Sequence, residues 1–393
     1  MKRVILVITL LLSSVCHAQT DTVFWFAPVD FSDWSQTILS IYSFDQQVNY
    51  SYSLPADTTS IHFPWQDGSI PPHSHTGWSH YFANNEPVNT VFNKGMLITT
   101  SSPACSYYHI FGGGSTYDSP LKRRGRYFLK GNFGLGNDFT VPMQTFLPVD
   151  SSLNRPSSIE FVATHDSTVV SITPLHPLQG GYSADSTFSI TLNRGQCYII
   201  RSGGYGTRQS LVGTRIHSTH PIAVNSTNDG VITNGGGRDF IGEQIVPNDL
   251  LGLRYVLIRN QSPYEHATIV PSIPGDTINV TINGITTQYY DSIAIDIPLT
   301  DTVTLISFDK PTAVFQTSSI DNSVDGAMVP PVECAGSKAV SYQRELAPDS
   351  LLFQIVAPTP SISYFRLYEH YSNTTINVSS SLFHPLTADT TLS

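Results

Sequence analysis

Charged residues are scarce in this chain of 393 residues: Asp, Glu, Lys and Arg together make up 13%, against the usual ~25%. The hydrophobic share is nevertheless 40%, so the chain can bury a core and is not expected to be disordered. The shortage of Lys and Glu also disfavours a mainly helical protein. A formal net charge of −10 argues against nucleic acid and anionic membrane surfaces as partners. The one basic cluster, at 122–126, is read as a solvated loop, with contact to an anionic ligand as the alternative.

Long apolar runs are also missing. The most apolar stretch, Val4–Leu12, is about nine residues long, far below the ~20 needed to span a bilayer. It follows two basic residues and precedes the small-x-small sequence Cys16-His17-Ala18, the pattern of a secretory signal peptide. We therefore predict a signal peptide over 1–18, no other transmembrane segment, and a secreted or cell-surface protein. Lipidation of Cys16 is the alternative, which the bulky Val15 disfavours.

Cysteines are few, and their spacing is wide. Cys105, Cys197 and Cys334 remain after the signal peptide, and no CxxC pair occurs. This excludes a zinc ribbon and a redox dithiol. In an oxidising compartment, three cysteines mean one disulfide plus a spare thiol, or three buried thiols.

Helical periodicity is absent, and strand signals take its place. Short β-branched runs at 159–163 and 168–172 are separated by turn-forming residues. Asn283-Gly284 after an alternating run predicts a hairpin, and so does Asn193-Arg194-Gly195 between two apolar runs. A turn or two of helix is expected only near 248–251. The fold class is therefore all-β.

One element recurs along the chain. An apolar residue stands five positions before a proline in three places: Ile98 and Pro103, Ile216 and Pro221, Ile306 and Pro311. Proline suits the start of a strand because it lacks the N–H of the ladder and fixes φ. A second proline follows each copy after a variable loop. The repeat predicts about three tandem antiparallel β-modules.

The predicted boundaries are 19–150 for the first module, with a long loop at 67–87, then 151–255 and 256–335. Residues 336–393 are expected to start a further β-module. Each module offers roughly eight short strands, which fits one sandwich or two propeller blades. A propeller-like arrangement is slightly favoured over stacked β-sandwiches because closure protects sheet edges.

The repeated elements resemble the IgG Fc-binding protein N-terminal domain family. The resemblance runs from about Val23 to Val332 and is carried by six segments: 24–28, 94–98, 161–169, 192–198, 211–216 and 240–247. It implies an extracellular binding or adhesion protein, without implying immunoglobulin as the ligand. The end of the signal peptide is also similar to those of secreted surface proteins of the Bacteroidetes.

Loop aromatics are the leading candidates for ligand contact. Trp65, Trp78, Tyr81 and Phe82 fall within eighteen residues, and exposed aromatics stack on sugars or anchor partner proteins. The alternative is that they cap the core of the first module.

A weaker candidate is a metal site at His73, His75 and His80. On an extended strand His73 and His75 would face the same way, and His80 would be a third ligand. The alternative is a proline-rich surface loop with incidental histidines.

Motifs for catalysis are lacking. The glycine runs at 112–114 and 235–237 lack the helix and Lys-Ser/Thr pair of a phosphate loop. No GxSxG nucleophile elbow occurs, and Glu243 is interpreted as structural. We therefore expect a non-enzymatic protein without cofactors that binds an extracellular glycan or protein. A structural spacer is the main alternative and a secreted carbohydrate-active enzyme a minor one.

Overall fold

The computed structural model describes residues 20–29, 36–57, 67–80, 87–111, 124–149, 157–204, 210–232, 238–260, 265–320, 323–334, 355–369, 374–386 and 392. Within these ranges the chain is almost entirely β-structure, arranged in antiparallel sheets. The all-β class and the tandem antiparallel modules are thereby confirmed. The signal-peptide prediction falls on residues outside the described ranges.

The first module is a seven-stranded sheet. Its strands are β1 (Asp21–Phe26), β2 (Gln36–Tyr42), β3 (Val48–Ser53), β4 (Asp67–Ile70), β5 (His75–His80), β7 (Met96–Phe111) and β8 (Arg124–Leu129). The two-residue strand β6 (Val91–Phe92) leaves this module and pairs with the second. The segment 67–87, predicted as a long loop, instead contains β4 and β5.

The second module repeats this plan. Its strands are β9 (Leu135–Thr140), β10 (Ser158–Ala163), β11 (Thr168–Thr173), β12 (Phe188–Leu192), β13 (Cys197–Arg201), β14 (Arg215–Ile232) and β15 (Arg238–Gln244). A 3₁₀ turn at Gly131–Gly134 precedes it and another at Asn248–Leu250 follows it. The second turn confirms the short helix expected near 248–251. β9 pairs with β14, although the predicted boundary after 150 would assign it to the first module.

The third module has β16 (Gly252–Ile258), β17 (His266–Pro271), β18 (Ile278–Ile282), β19 (Ile285–Tyr289), β20 (Ile295–Pro298), β21 (Val303–Ile320) and β22 (Ser323–Met328). A 3₁₀ turn at Val332–Cys334 ends it. Of 336–393, the described part forms 3₁₀ turns at Thr359–Tyr364 and Ser380–Leu382 and a two-stranded sheet of β23 (Arg366–Glu369) and β24 (Thr374–Asn377).

Each module is organised around one long strand that serves two layers. The first half of β14 pairs with β9 and β11, and its second half pairs with β10 and β15. β7 and β21 have the same relation to their neighbours. In β-sandwiches, a strand that passes from one sheet to the other forms a corner at which the two sheets meet. The propeller-like arrangement is not confirmed.

The repeat prolines lie inside these long strands. The sequence predicts that each repeat proline opens a new strand, but β7, β14 and β21 continue through Pro103, Pro221 and Pro311. Each proline stands where the long strand exchanges one set of partners for the other, so its missing N–H does not interrupt a ladder. The apolar residues five positions earlier, Ile98 and Ile216 among them, are buried in the cores.

The two predicted hairpins have different outcomes. Asn283 and Gly284, both with positive φ, join β18 to β19 as a two-residue hairpin turn, as predicted. The hairpin predicted at Asn193-Arg194-Gly195 is wrong, because β12 pairs with β11 whereas β13 pairs with β10. The turn therefore carries the chain from one layer of the module to the other.

Apolar clusters fill the modules and connect them into one array. Three fill the individual modules. A fourth joins Trp25 and Phe92 of the first module to Val162 and Ile199 of the second. A fifth joins Ile241 of the second module to Phe315 and Val324 of the third. The modules therefore pack directly on one another along the chain.

Candidate functional site

The predicted ligand and metal residues concentrate around β5 at the edge of the first sheet. His75, Trp78 and His80 belong to this strand, and His73 stands in the turn before it. Trp65, Tyr81 and Phe82 lie outside the described residues. The structure thus brings part of the predicted set to one sheet edge and leaves its role as a prediction.

The turn at 71–74 is tied to the end of β2. Ser43 donates its hydroxyl to the carbonyl of Pro71 and its backbone N–H to the carbonyl of Ser74. The N–H of His73 donates to the carbonyl of Phe44 over 2.7 Å. His73 has a φ of 53°, a left-handed conformation that few residues other than glycine adopt. The turn is therefore held in one shape by several bonds.

His73 contacts the C-terminal segment. Its ring stacks on Tyr368 of β23, with centroids 4.0 Å apart and an interplanar angle of 27°. Its Nε2 lies 3.5 Å from Oδ1 of Asp45, whose side chain is 93% exposed. Residues 355–386 thus touch the candidate edge at this point.

His75 has a different neighbour. Its ring stacks on Tyr42 of β2 at 5.2 Å, and the two residues are direct partners in the ladder. His73 and His75 therefore do not share one set of contacts, although the prediction places them side by side. Among the described residues no group of three His, Cys, Asp or Glu is arranged to hold a metal ion.

Trp78 pairs with Leu39 in the same ladder. Leu39 is buried in the core of the first module. Pro71, Pro72, His75 and Gly77 are exposed at this edge.

Behind the edge lies a buried aromatic face on β2, β7 and β8. Tyr107 packs against Phe128 at 4.0 Å and meets the edge of Tyr42 at 5.2 Å. Cys105 joins the same cluster and is fully buried. The sequence did not single out these residues, because alternating aromatic and core residues on β7 look alike when both faces are buried.

His109 continues this face and stays neutral. Arg126 donates from Nε to Nδ1 of His109 over 2.8 Å, and its guanidinium lies 5.9 Å from the centre of the Tyr107 ring. Burial, assisted by the charges of Arg126 and His75, lowers the pKa of His109 to about 3. Because Nδ1 accepts this bond, the ring proton is on Nε2.

A second polar cluster holds the first and second modules together. The side-chain amide of Gln244 donates to the carbonyl of Trp25 at 2.9 Å, and that of Asn225 donates to the carbonyl of Ala27 at 2.7 Å. Oε1 of Gln244 accepts the backbone N–H of Lys130 at 2.6 Å. Two side chains of the second module thus satisfy carbonyls at the end of β1 and directly after it.

The charges in this junction are paired. Lys130 donates to Glu243, and both side chains are largely buried. Burial raises the pKa of Glu243, and the Lys130 ammonium opposes that rise. The contact agrees with the interpretation of Glu243 as structural.

One comparison with known proteins decides the family. A family model described as IgGFc binding protein matches residues 127–358, more than half of the chain. The chain belongs to the IgGFc binding protein family. No curated protein and no solved structure matches it significantly.

The match to the IgGFc binding protein family covers the end of β8 and the second and third modules. The first module, which carries the candidate edge, stands almost entirely before residue 127 yet has the same strand plan. The family is one of binding proteins of typically extracellular type, which supports an extracellular binding protein with a protein partner. In the described part of the chain, no helix is long and apolar enough to cross a membrane.

Proposed function

We propose that this chain is a secreted or surface-exposed, non-catalytic binding protein of the Bacteroidetes type that recognises an extracellular glycan or protein. The ligand contacts the β5 edge and the turn at 71–74. Trp78 stands within β5, and Tyr81 and Phe82 follow it directly in the sequence. Membership of a binding family supports the function, and the edge position of β5 supports the site.

The observation that carries the site is the equivalence of β5 and β13. Each is the last strand that its own module contributes on the same side of the sheet, next to β2 and β10 respectively. The outer edge of β13 already pairs with a strand from outside its module, through Phe92 opposite Cys197 and Val91 opposite Tyr198. Within the described residues, β5 pairs only with β2. The same edge of the first module is thus suited to strand addition by a ligand chain.

The turn at 71–74 adds a rigid apolar contact beside this edge. Pro71 and Pro72 are exposed, and their fixed φ angles leave little conformational entropy to lose on binding. The bonds from Ser43 and Phe44 hold the turn in place before a ligand arrives. Because the turn at 71–74 already has this shape without a ligand, a ligand can bind it without first ordering it.

The test is retention of the purified mature chain on glycan arrays, mucin-coated plates and immobilised Fc. A His75→Lys variant puts a charge on the edge, which opposes strand addition, and a Trp65/Trp78 double-alanine variant removes the predicted aromatics. Ile285→Lys on the exposed edge strand β19 is the matched control. We expect retention to fall in the first two variants and to persist in the control. Equal retention by all variants would overturn the proposed site.

A spacer role is the second candidate, and the inter-module packing favours it. The clusters around Trp25 and Phe315 make the modules one continuous body, as a stalk requires. A spacer predicts no retention on any of the three surfaces. In that case the chain should bear force without binding a ligand. Single-molecule pulling should then show neighbouring modules unfolding together.

A further inference from the structure

Two Thr-His pairs meet at the crossover of the second module. Thr164-His165 follows directly from β10, and Thr219-His220 precedes the repeat proline Pro221 within β14. The rings of His165 and His220 stack with centroids 5.3 Å apart and an interplanar angle of 22°. Both histidines are exposed, whereas Thr164 is buried.

The two histidines lie next to each other just beyond the paired part of β10. β10 and β14 pair up to Ala163 opposite Ile222, and in the next step the hydroxyl of Thr164 donates to the carbonyl of Pro221. The chain bends at Thr164 and His165, and the ring contact of 5.3 Å brings the imidazoles of His165 and His220 together.

Hydrogen bonds fix which nitrogen of His165 is available. The hydroxyl of Thr164 donates its proton to the carbonyl of Pro221, so it can only accept at Nδ1 of His165, 2.8 Å away. His165 therefore carries its proton on Nδ1 and has a lone pair on Nε2. The hydroxyl of Thr219 accepts the N–H of Val169 and lies 3.4 Å from Nδ1 of His220, where either atom can be the donor.

We propose that His165 and His220 bind one divalent transition-metal ion through their Nε2 atoms. Imidazole suits Zn²⁺, Ni²⁺ and Cu²⁺, and a ligating histidine characteristically donates its other N–H to an oxygen, as His165 does to Thr164. Two nitrogens bound to one Zn²⁺ at ~2.0–2.1 Å lie at most about 4 Å apart. Binding requires the two exposed rings to turn out of their stacked arrangement, so that both Nε2 lone pairs point at one ion.

The fold itself does not require histidine at this place. The residues that precede the repeat proline in the first and third modules are Ser102 and Lys310, and β7 and β21 pass their prolines in the same way as β14. Of the three modules, only the second therefore has a histidine directly before its repeat proline. With two protein ligands, the ion keeps open positions for water or for an oxygen of a bound molecule.

The experiment is titration of the full mature chain with Cu²⁺, Ni²⁺ and Zn²⁺ by calorimetry, with electron paramagnetic resonance of the Cu²⁺ form. We expect one ion per chain, two nitrogen ligands in the Cu²⁺ spectrum, and affinities that rank Cu²⁺ above Ni²⁺ and Zn²⁺. His165→Gln and His220→Ser should each abolish the two-nitrogen signal; the serine is the residue of the equivalent position in the first module. Thr164→Val, which keeps both ligands, should weaken binding about 10–100-fold.

A His73/His75 double-glutamine variant is the control, since it removes the histidines of the other candidate site. It should bind metal as the parent does. Binding that disappears in this variant and survives in His165→Gln would overturn the proposal, and so would a spectrum without two nitrogens. The outcome is independent of whether the β5 edge binds a glycan or protein.

Discussion

Lys130 and Glu243 form a buried ion pair between the first and second modules. Lys130 follows β8 directly, and Glu243 belongs to β15, so the pair joins the last strands of two neighbouring repeats. A charge of this kind is costly to bury alone but acceptable when paired. The pair thereby fixes how one module sits on the next.

Lys130→Met should destabilise the protein by about 3–5 kcal/mol at neutral pH, because it leaves Glu243 as an uncompensated buried charge. Burial already raises the pKa of Glu243, so above its ordinary pKa the unfolded chain ionises more readily than the folded one. Stability therefore falls as pH rises from the ordinary pKa of a glutamate to the raised pKa of Glu243. Without Lys130, the fall should be steeper. Urea unfolding at pH 5 and pH 7.5 measures this. Lys130→Met with Glu243→Leu should recover most of the loss, and a cost equal at both pH values would contradict the argument.

Phe240→Ala should weaken the first module although the residue belongs to the second. The ring lies in the core of the first module, and a Cβ on Gly125 would come within 2.3 Å of its Cδ1. We expect a cost of about 3–5 kcal/mol for the lost core packing. Gly125→Ala alone should also destabilise by overpacking, by about 1–3 kcal/mol. A double-mutant cycle in guanidinium should show that the two costs are not additive.

His109 should remain neutral down to strongly acidic pH. Its pKa is lowered to about 3, whereas in the unfolded chain it lies near the ordinary ~6.5. Below that value the unfolded state takes up a proton that the folded state refuses, so stability is present above pH ~6.5 and is lost as pH falls towards 3. The unfolding midpoint of a His109→Gln variant should depend less on pH in this window. Imidazole shifts in NMR, unchanged between pH 5 and 8 for His109, provide the direct check.

Cys197 should resist thiol reagents in the folded protein. It is a free thiol, fully buried, and burial together with nearby Glu160 raises its pKa well above the usual range, so little thiolate forms. Iodoacetamide labelling followed by mass spectrometry should show no modification natively and full modification in guanidinium. Phe92→Ala, which weakens the β6 pairing beside Cys197, should speed native labelling. Rapid labelling of the unaltered protein would show that this edge opens readily.

The repeat prolines show which features of the fold the sequence predicts and which it does not. Their spacing correctly predicts three related β-modules, since Ile98, Ile216 and Ile306 recur at one place in the strand plan. It does not reveal that the strand runs on through each proline, because the exchange of partners depends on contacts distant in sequence. The aromatic cluster of 65–82 is locally visible, yet only the register shows Trp78 opposite a core residue.

The sequence does not predict the buried polar residues between the first and second modules, for the same reason. Asn225 to Asp229 form a polar run within β14 that is almost entirely buried, although such a run normally indicates an exposed strand. The acceptor of the Asn225 amide, the carbonyl of Ala27, is nearly two hundred residues away in sequence. Local pattern alone does not report an acceptor at that distance.

The two residues of β6 determine which recombinant fragments of this protein leave a sheet edge uncovered. A recombinant fragment limited to the matched region 127–358 keeps Lys130 but loses β6 and β1. The outer edge of β13 then becomes an open template for another chain, and the amides of Gln244 and Asn225 lose the carbonyls to which they donate. Such a fragment should self-associate through β13, whereas a fragment that begins at Asp21 keeps β6 paired with this edge and should not associate through it.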